Sequence, residues 1–162
     1  MKFLTYHLLS LSFLLASASV LADGFYFTHL NDKIVEYSDK IEVCDSKKVI
    51  PDLNDEELSV LRRIITKEPL VWAYLTEKSY NQCLQPERGE LAELLLIYEH
   101  LDLPVATSKL VSVTGELTYK QSLDALKAYE SIDSSDKEFI EDMEALRKPI
   151  KALETFEKIM GM

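Results

Sequence analysis

The sequence predicts an all-α fold: a small single domain of about five to seven helices in antiparallel hairpins. Three observations carry this. Apolar residues recur at helical spacing through most of the chain. A polar cap residue followed three positions later by Glu or Gln, the signature of a helix start, occurs at Asn54, Thr118 and Ser135. Glycine and proline are scarce, four and five in 162 residues, and no low-complexity linker is visible.

The elements follow in chain order. Residues 1–22 have the three-part layout of a secretory signal peptide: Lys2, an apolar stretch from Phe3 to Leu15, and a run of mainly small residues ending at Ala22. Small side chains at Val20 and Ala22 set cleavage between Ala22 and Asp23, with Ser19 as the alternative mature start. The apolar centre is shorter than the ~20 residues of a spanning helix. No cysteine follows either site, so a lipoprotein anchor is not expected. The expected organisation is a cleaved leader, 1–22, and one helical domain, 23–162.

A first helix is expected over His29–Glu42, with Lys40–Val43 able to be extended instead. Asn54 and Glu57 open a second helix carrying Leu58, Leu61, Ile64 and Ile65, which ends near Lys67 because Pro69 disfavours helical geometry at Glu68. Pro69 suits the first turn of a third helix, to about Gln82. Pro86 repeats the device for a fourth, with Leu91, Leu94, Leu95, Tyr98 and Leu101 in a stripe that Leu96 and Ile97 widen. Apolar over most of its circumference, this helix is expected at the centre of the core. Pro104 ends it. The β-branched stretch Val105–Thr114 reads as a short helix, with a strand as the alternative. Thr118 and Gln121 open the next helix, through Leu123, Leu126 and Tyr129. Ser135 and Glu138 open a long one with Phe139, Met143, Leu146, Ile150 and Leu153 in a two-heptad seam. Pro149 predicts a kink or break near Ala145–Lys148. One short echo exists: Tyr98-Glu99-His100-Leu101-Asp102 resembles Tyr129-Glu130-Ser131-Ile132-Asp133.

Composition bounds the partners. The formal net charge is −10, and the leader holds only Lys2 of the 18 basic side chains and none of the 28 acidic ones. Nucleic acid is therefore not an expected partner, because binding phosphates takes clustered Lys and Arg. Nor is a stable membrane anchor expected after cleavage. A protein partner is expected, and a basic one would be steered by this charge. The only two cysteines, Cys44 and Cys83, are expected to form one structural disulfide in an oxidising compartment. Their spacing fits neither a redox C-x-x-C pair nor a zinc pattern. Asn-x-Ser/Thr sequons are absent, which favours a periplasm, with secretion beyond it as the second expectation.

The motifs of catalysis are missing. Beyond the leader the histidines are His29 and His100, with no G-x-S-x-G elbow to supply a nucleophile. Asp52–Glu57 looks like the start of a calcium loop, but Glu57 stands where glycine is needed and Arg63 where the bidentate Glu should be. Glu90 and Glu93 share a helix and read as a solvated edge. Trp72 reads as core, and the Phe25-Tyr26-Phe27 cluster as packing that ties down the terminus. The expectation is no catalytic residue, no cofactor and no metal. The function expected is a non-enzymatic exported protein-binding domain, such as an inhibitor or immunity protein for a toxic envelope enzyme. The alternative is an envelope assembly or chaperone-like factor, and the third an enzyme of unrecognised type. Oligomeric state is left open.

Overall fold

The computed structural model describes residues 2–119 and 122–162, with side chains from Gly24 to Thr118 and from Ser122 to Met162. The cleavage pair Ala22 and Asp23 and the cap residue Gln121 lie outside the described side chains. The fold is all-α: α1 (Lys2–Ser46), α2 (Asp55–Lys67), α3 (Leu70–Cys83), α4 (Glu87–Tyr98), α5 (Val105–Tyr119), α6 (Leu123–Ser131), α7 (Ser134–Asp142), a 3₁₀ turn (Glu144–Arg147) and α8 (Ala152–Met160). The described residues form no strand, only an isolated parallel bridge between Val49 and Ile150. No helix among them is long and apolar enough to cross a membrane. Tertiary contacts group into two compact units, Met1–Glu36 with Gly89–Tyr119, and Tyr37–Arg88 with Lys120–Met162.

The second unit holds the larger core. Leu61, Ile64 and Ile65 of α2 meet Val71, Trp72 and Leu75 of α3, Tyr129 of α6, Ile140 of α7 and Ile159 of α8. α3 packs on α6, α2 and the 3₁₀ turn, and α2 packs on α8. Local chemistry sets α2. The Asn54 side chain accepts from the Glu57 N–H at 2.9 Å, and the Glu57 carboxylate accepts from the Asn54 N–H at 2.8 Å. Three acids in the first turn also face the positive end of the helix dipole. Asn54→Ala removes the box, and thermal unfolding should report a loss of about 1 kcal/mol. Arg63 of α2 makes a two-pronged ion pair with Asp136 of α7, at 2.7 and 2.9 Å. That guanidinium holds the Asp136 carboxyl below the usual carboxylate range.

Cys44 and Cys83 are joined, with Cα atoms 6.0 Å apart and a sequence separation of 39. The bond ties the C-terminal part of α1 to the last residue of α3. The Gln85–Pro86 peptide is cis. At the far end, Gly161 adopts φ 74° and caps α8 through Glu157 O. Only glycine takes that left-handed geometry without cost.

In the first unit α1 and α4 run antiparallel. Tyr26 meets Tyr98 edge to face at 5.5 Å between centroids, and seven residues further on Lys33 reaches Glu90 at 2.9 Å. Leu30, Leu91 and Leu95 are fully buried.

At two places where an extended alternative stood open, Lys40–Val43 and Val105–Thr114, the chain is helical as expected, and several other expectations are corrected. Lys40–Val43 lies inside α1. α4 ends at Tyr98, because Glu99 and His100 close the last turn on Leu95 O and Ile97 O. Leu101 is therefore in a bend and exposed, and Leu96 and Ile97 are about half exposed. The helix buries one face and is not central. Val105–Thr114 is helical and continues to Tyr119. Thr118 is not a cap: it lies within α5, and its hydroxyl donates back to Thr114 O at 2.8 Å. Ser122 caps α6 instead, accepting from Ala125 N at 3.2 Å.

The seam from Phe139 to Leu153 is not one helix. Ser135 sits inside α7, whose cap position is Asp133. The chain leaves α-helical geometry from Met143 to Lys151. Pro149 O accepts from Val49 N, and Lys151 N donates to Val49 O, each at 2.9 Å. A segment distant in sequence thus supplies the backbone bonds that a continuous helix would have made. Finally, Phe25 and Phe27 are exposed, whereas Tyr26 packs on Tyr98 of α4.

Candidate functional site: a groove between α4 and α5

The residues that could carry chemistry are mostly occupied in structural contacts. His29 Nδ1 lies 3.0 Å from the Tyr98 hydroxyl. His100 is exposed in the turn after α4. Glu90 pairs with Lys33, and Glu93 is exposed. The Asp52–Glu57 segment is the start of α2, as its cap geometry requires. No group of three or more His, Cys, Asp or Glu among the described residues could hold a metal ion.

One cluster in the second unit escaped the sequence reading. Tyr74 of α3 stacks on Tyr129 of α6, with centroids 4.3 Å apart and planes 19° from parallel. Lys78 lies 5.9 and 5.6 Å from the two centroids and pairs with Glu141 at 3.6 Å. The Tyr129 hydroxyl donates to Glu141 at 3.1 Å, and Lys137 sits over the same ring while pairing with Glu130. Burial, reinforced by Glu141, pushes the Tyr129 phenol well above its ordinary pKa. Every charge here has a partner inside the cluster, so it clamps α3, α6 and α7 together. The signal that could have found it is the aromatic spacing on α3 together with Tyr129, which the short echo singled out for another reason.

The first unit presents a different surface. α5 is polar inside and partly apolar outside. Its buried face carries Thr107, Val111, Thr114 and Thr118, spaced 4-3-4, whereas Val105, Val113 and Leu117 are exposed by 87%, 49% and 74%. A helix whose core face is threonine-rich gains little from burying it, because each hydroxyl must find an internal partner. Thr118 does so by bonding Thr114 O. The apolar side chains that would ordinarily seal such a helix to a core point elsewhere.

Where α5 passes the end of α4 it leaves an open groove of about 450 Å³. Tyr98, Leu101 and Val111 give it an apolar lining. Ser108, Ser112 and Gly115 keep the α5 side shallow, and Glu99 and Glu116 carry charge at its edges. Tyr98 is 4% exposed and fixed by Tyr26 and His29, so the lining is rigid at that point. Burial raises the Tyr98 phenol pKa, with Tyr26 adding to the effect. It is therefore neutral across the physiological range. The groove was not expected from sequence. It exists because α4 stops early, at Tyr98, and because α5 extends past Thr114. The threonine spacing at 107, 114 and 118 was the available signal, hidden in a stretch read as β-branched and ambiguous.

Compared with protein-family models, with curated proteins and with solved structures, the chain matches none.

Proposed function

We propose that this chain is a non-enzymatic, exported protein-binding domain, of the kind that inhibits a toxic envelope enzyme or confers immunity to it. The observation that carries the reading is the α4–α5 groove, on a helix that also leaves Val113 and Leu117 exposed one turn apart. Large apolar residues left together at a surface mark interaction sites. A cleft with an apolar lining and a few charges at its edge has the anatomy of a protein interface. The Cys44–Cys83 bond is compatible with an oxidising compartment, and the leader reading over residues 1–22 supplies the route there.

An assembly or chaperone-like factor would use the same face for many clients. Affinity capture from envelope extract separates the two readings. With the unaltered protein as bait, the expected result is one partner in stoichiometric amount, lost when Ser112→Trp fills the groove. Several unrelated clients favour the assembly factor. No partner at all, or one unaffected by the filled groove, overturns the proposal.

A further inference from the structure

The apolar lining alone does not say what the groove accepts. Its charges do. In the first unit, the stretches Gly24–Glu36 and Gly89–Thr118 carry seven acidic side chains against two lysines, Lys33 and Lys109. Lys33 is already engaged by Glu36 and Glu90, which hold its ammonium firmly protonated. Lys109 is not among the groove residues. Glu99 and Glu116 flank the opening, one after α4 and one on α5, and neither takes part in an ion pair among the described residues. The pattern is an apolar floor between two carboxylates, with no Lys or Arg among the described residues that line the groove.

We propose that the groove binds a basic amphipathic segment of a partner protein, with an apolar side chain seated on Tyr98, Leu101 and Val111 and flanking Lys or Arg side chains paired with Glu99 and Glu116. The inference rests on the protein-binding reading and names the chemistry of its partner. Two features distinguish this occupant from others. An acidic segment would place like charges against both carboxylates in a partly desolvated cleft, which is strongly unfavourable. A purely basic, non-amphipathic strand would leave the apolar floor in contact with water and so lose the hydrophobic part of the binding. Helical segments that lay an apolar stripe into a groove, with charges on the flanks, meet both requirements.

The test uses the protein purified in the form the producing cell leaves it, and three labelled synthetic peptides. One is an amphipathic helical Leu–Lys peptide of about 18 residues, long enough to lay several turns along a groove. The second is its Leu–Glu twin, and the third a Lys-rich peptide without an apolar stripe. Fluorescence anisotropy at physiological salt should show the Leu–Lys peptide binding at least about tenfold more tightly than either control. The Glu99→Lys/Glu116→Lys variant should lose that preference. Glu154→Lys/Glu157→Lys changes the net charge equally at exposed residues of α8 that do not line the groove and should leave the affinity within about threefold, because exposed charges that make no direct pair contribute little at physiological salt.

Equal losses in the two variants would show mere attraction to a negative protein and overturn the proposal. So would undiminished peptide binding in Ser112→Trp, or a concentration-dependent dimer that Ser112→Trp abolishes, which would assign the groove to a second copy of the chain. Capture of an envelope partner that survives Glu99→Lys/Glu116→Lys would sink this inference while leaving the protein-binding reading standing. Peptide selectivity with no envelope partner would do the reverse.

Discussion

Replacing both Cys44 and Cys83 with alanine should cost the protein about 4 kcal/mol of stability in the chain-entropy account of a closed loop of roughly 40 residues. The loop contains all of α2 and nearly all of α3, which together supply six residues of the second unit's core. Without the bond, the C-terminal part of α1 and the end of α3 must find each other against the entropy of that loop. Beside the bond, Lys40 of α1 pairs with Glu87 at 2.9 Å and donates to Gln85 O at 3.2 Å, just past the end of α3, and the other polar contacts here are exposed. Asp45 accepts from the Tyr80 hydroxyl at 2.8 Å and pairs with Lys48 at 2.7 Å, and pairs of this kind contribute less than about 1 kcal/mol each. Cys44 is fully buried, so the double variant also loses a little packing. Urea unfolding followed by far-UV circular dichroism measures the effect. With a slope of about 1–3 kcal/mol per molar, the midpoint should fall by more than 1 M. A loss under about 1 kcal/mol would mean that the helices hold the loop closed without help. The double variant is the right comparison, since a single one leaves a free thiol able to pair elsewhere.

Trp72→Ala should cost about as much, roughly 3–5 kcal/mol. Trp72 is 8% exposed and stands in the second unit's core between residues of α2, α3 and α8. Its indole N–H donates to Ala152 O at 3.1 Å. Ala152 begins α8, so the bond fixes where the last helix starts after the break at Pro149. Truncation leaves a large cavity and removes this bond together. Trp72→Phe separates the two effects. It keeps most of the volume and loses only the bond, and should cost about 1–2 kcal/mol. Because Trp72 is the only tryptophan, its fluorescence disappears in both variants. Circular dichroism or calorimetry must report the transition. If Trp72→Ala unfolds within about 1.5 kcal/mol of the unaltered protein, the core must collapse around the gap.

These two positions also show what was legible beforehand. The cysteine pairing followed from there being only two cysteines, and Trp72 from its place on an apolar helix. The start of α2 was legible for a stronger reason. Asn54 and Glu57 satisfy each other's backbone within three residues, so no distant contact is needed to fix the geometry. Where two local solutions competed, sequence could not choose. Thr118 and Ser122 are both able to cap, and what decided was that α5 runs on to Tyr119 and buries Thr118. At Pro149 a bend was foreseen but its extent was not, because the bonds that replace helical ones there come from Val49. The groove was illegible for the same kind of reason. It depends on which residues of α4 and α5 face each other, and the Tyr98 side is held by Tyr26 and His29, about seventy residues earlier.

Both compact units are built from two stretches of chain, and the stretches alternate along the sequence. The order of synthesis therefore matters. When a ribosome has released the chain through α4, each unit is only half made. The first cannot close until α5 has emerged, by which time the second still lacks α6 to α8. α3 can meet α2 as soon as it emerges, but the part of α2 that packs on α8 stays uncovered until Ile159 arrives to fill it. Contacts between such distant segments form slowly, because loops must close before they are rewarded. A chain organised in this way stays open for most of its own synthesis, the condition in which a polypeptide can still be threaded through a narrow channel.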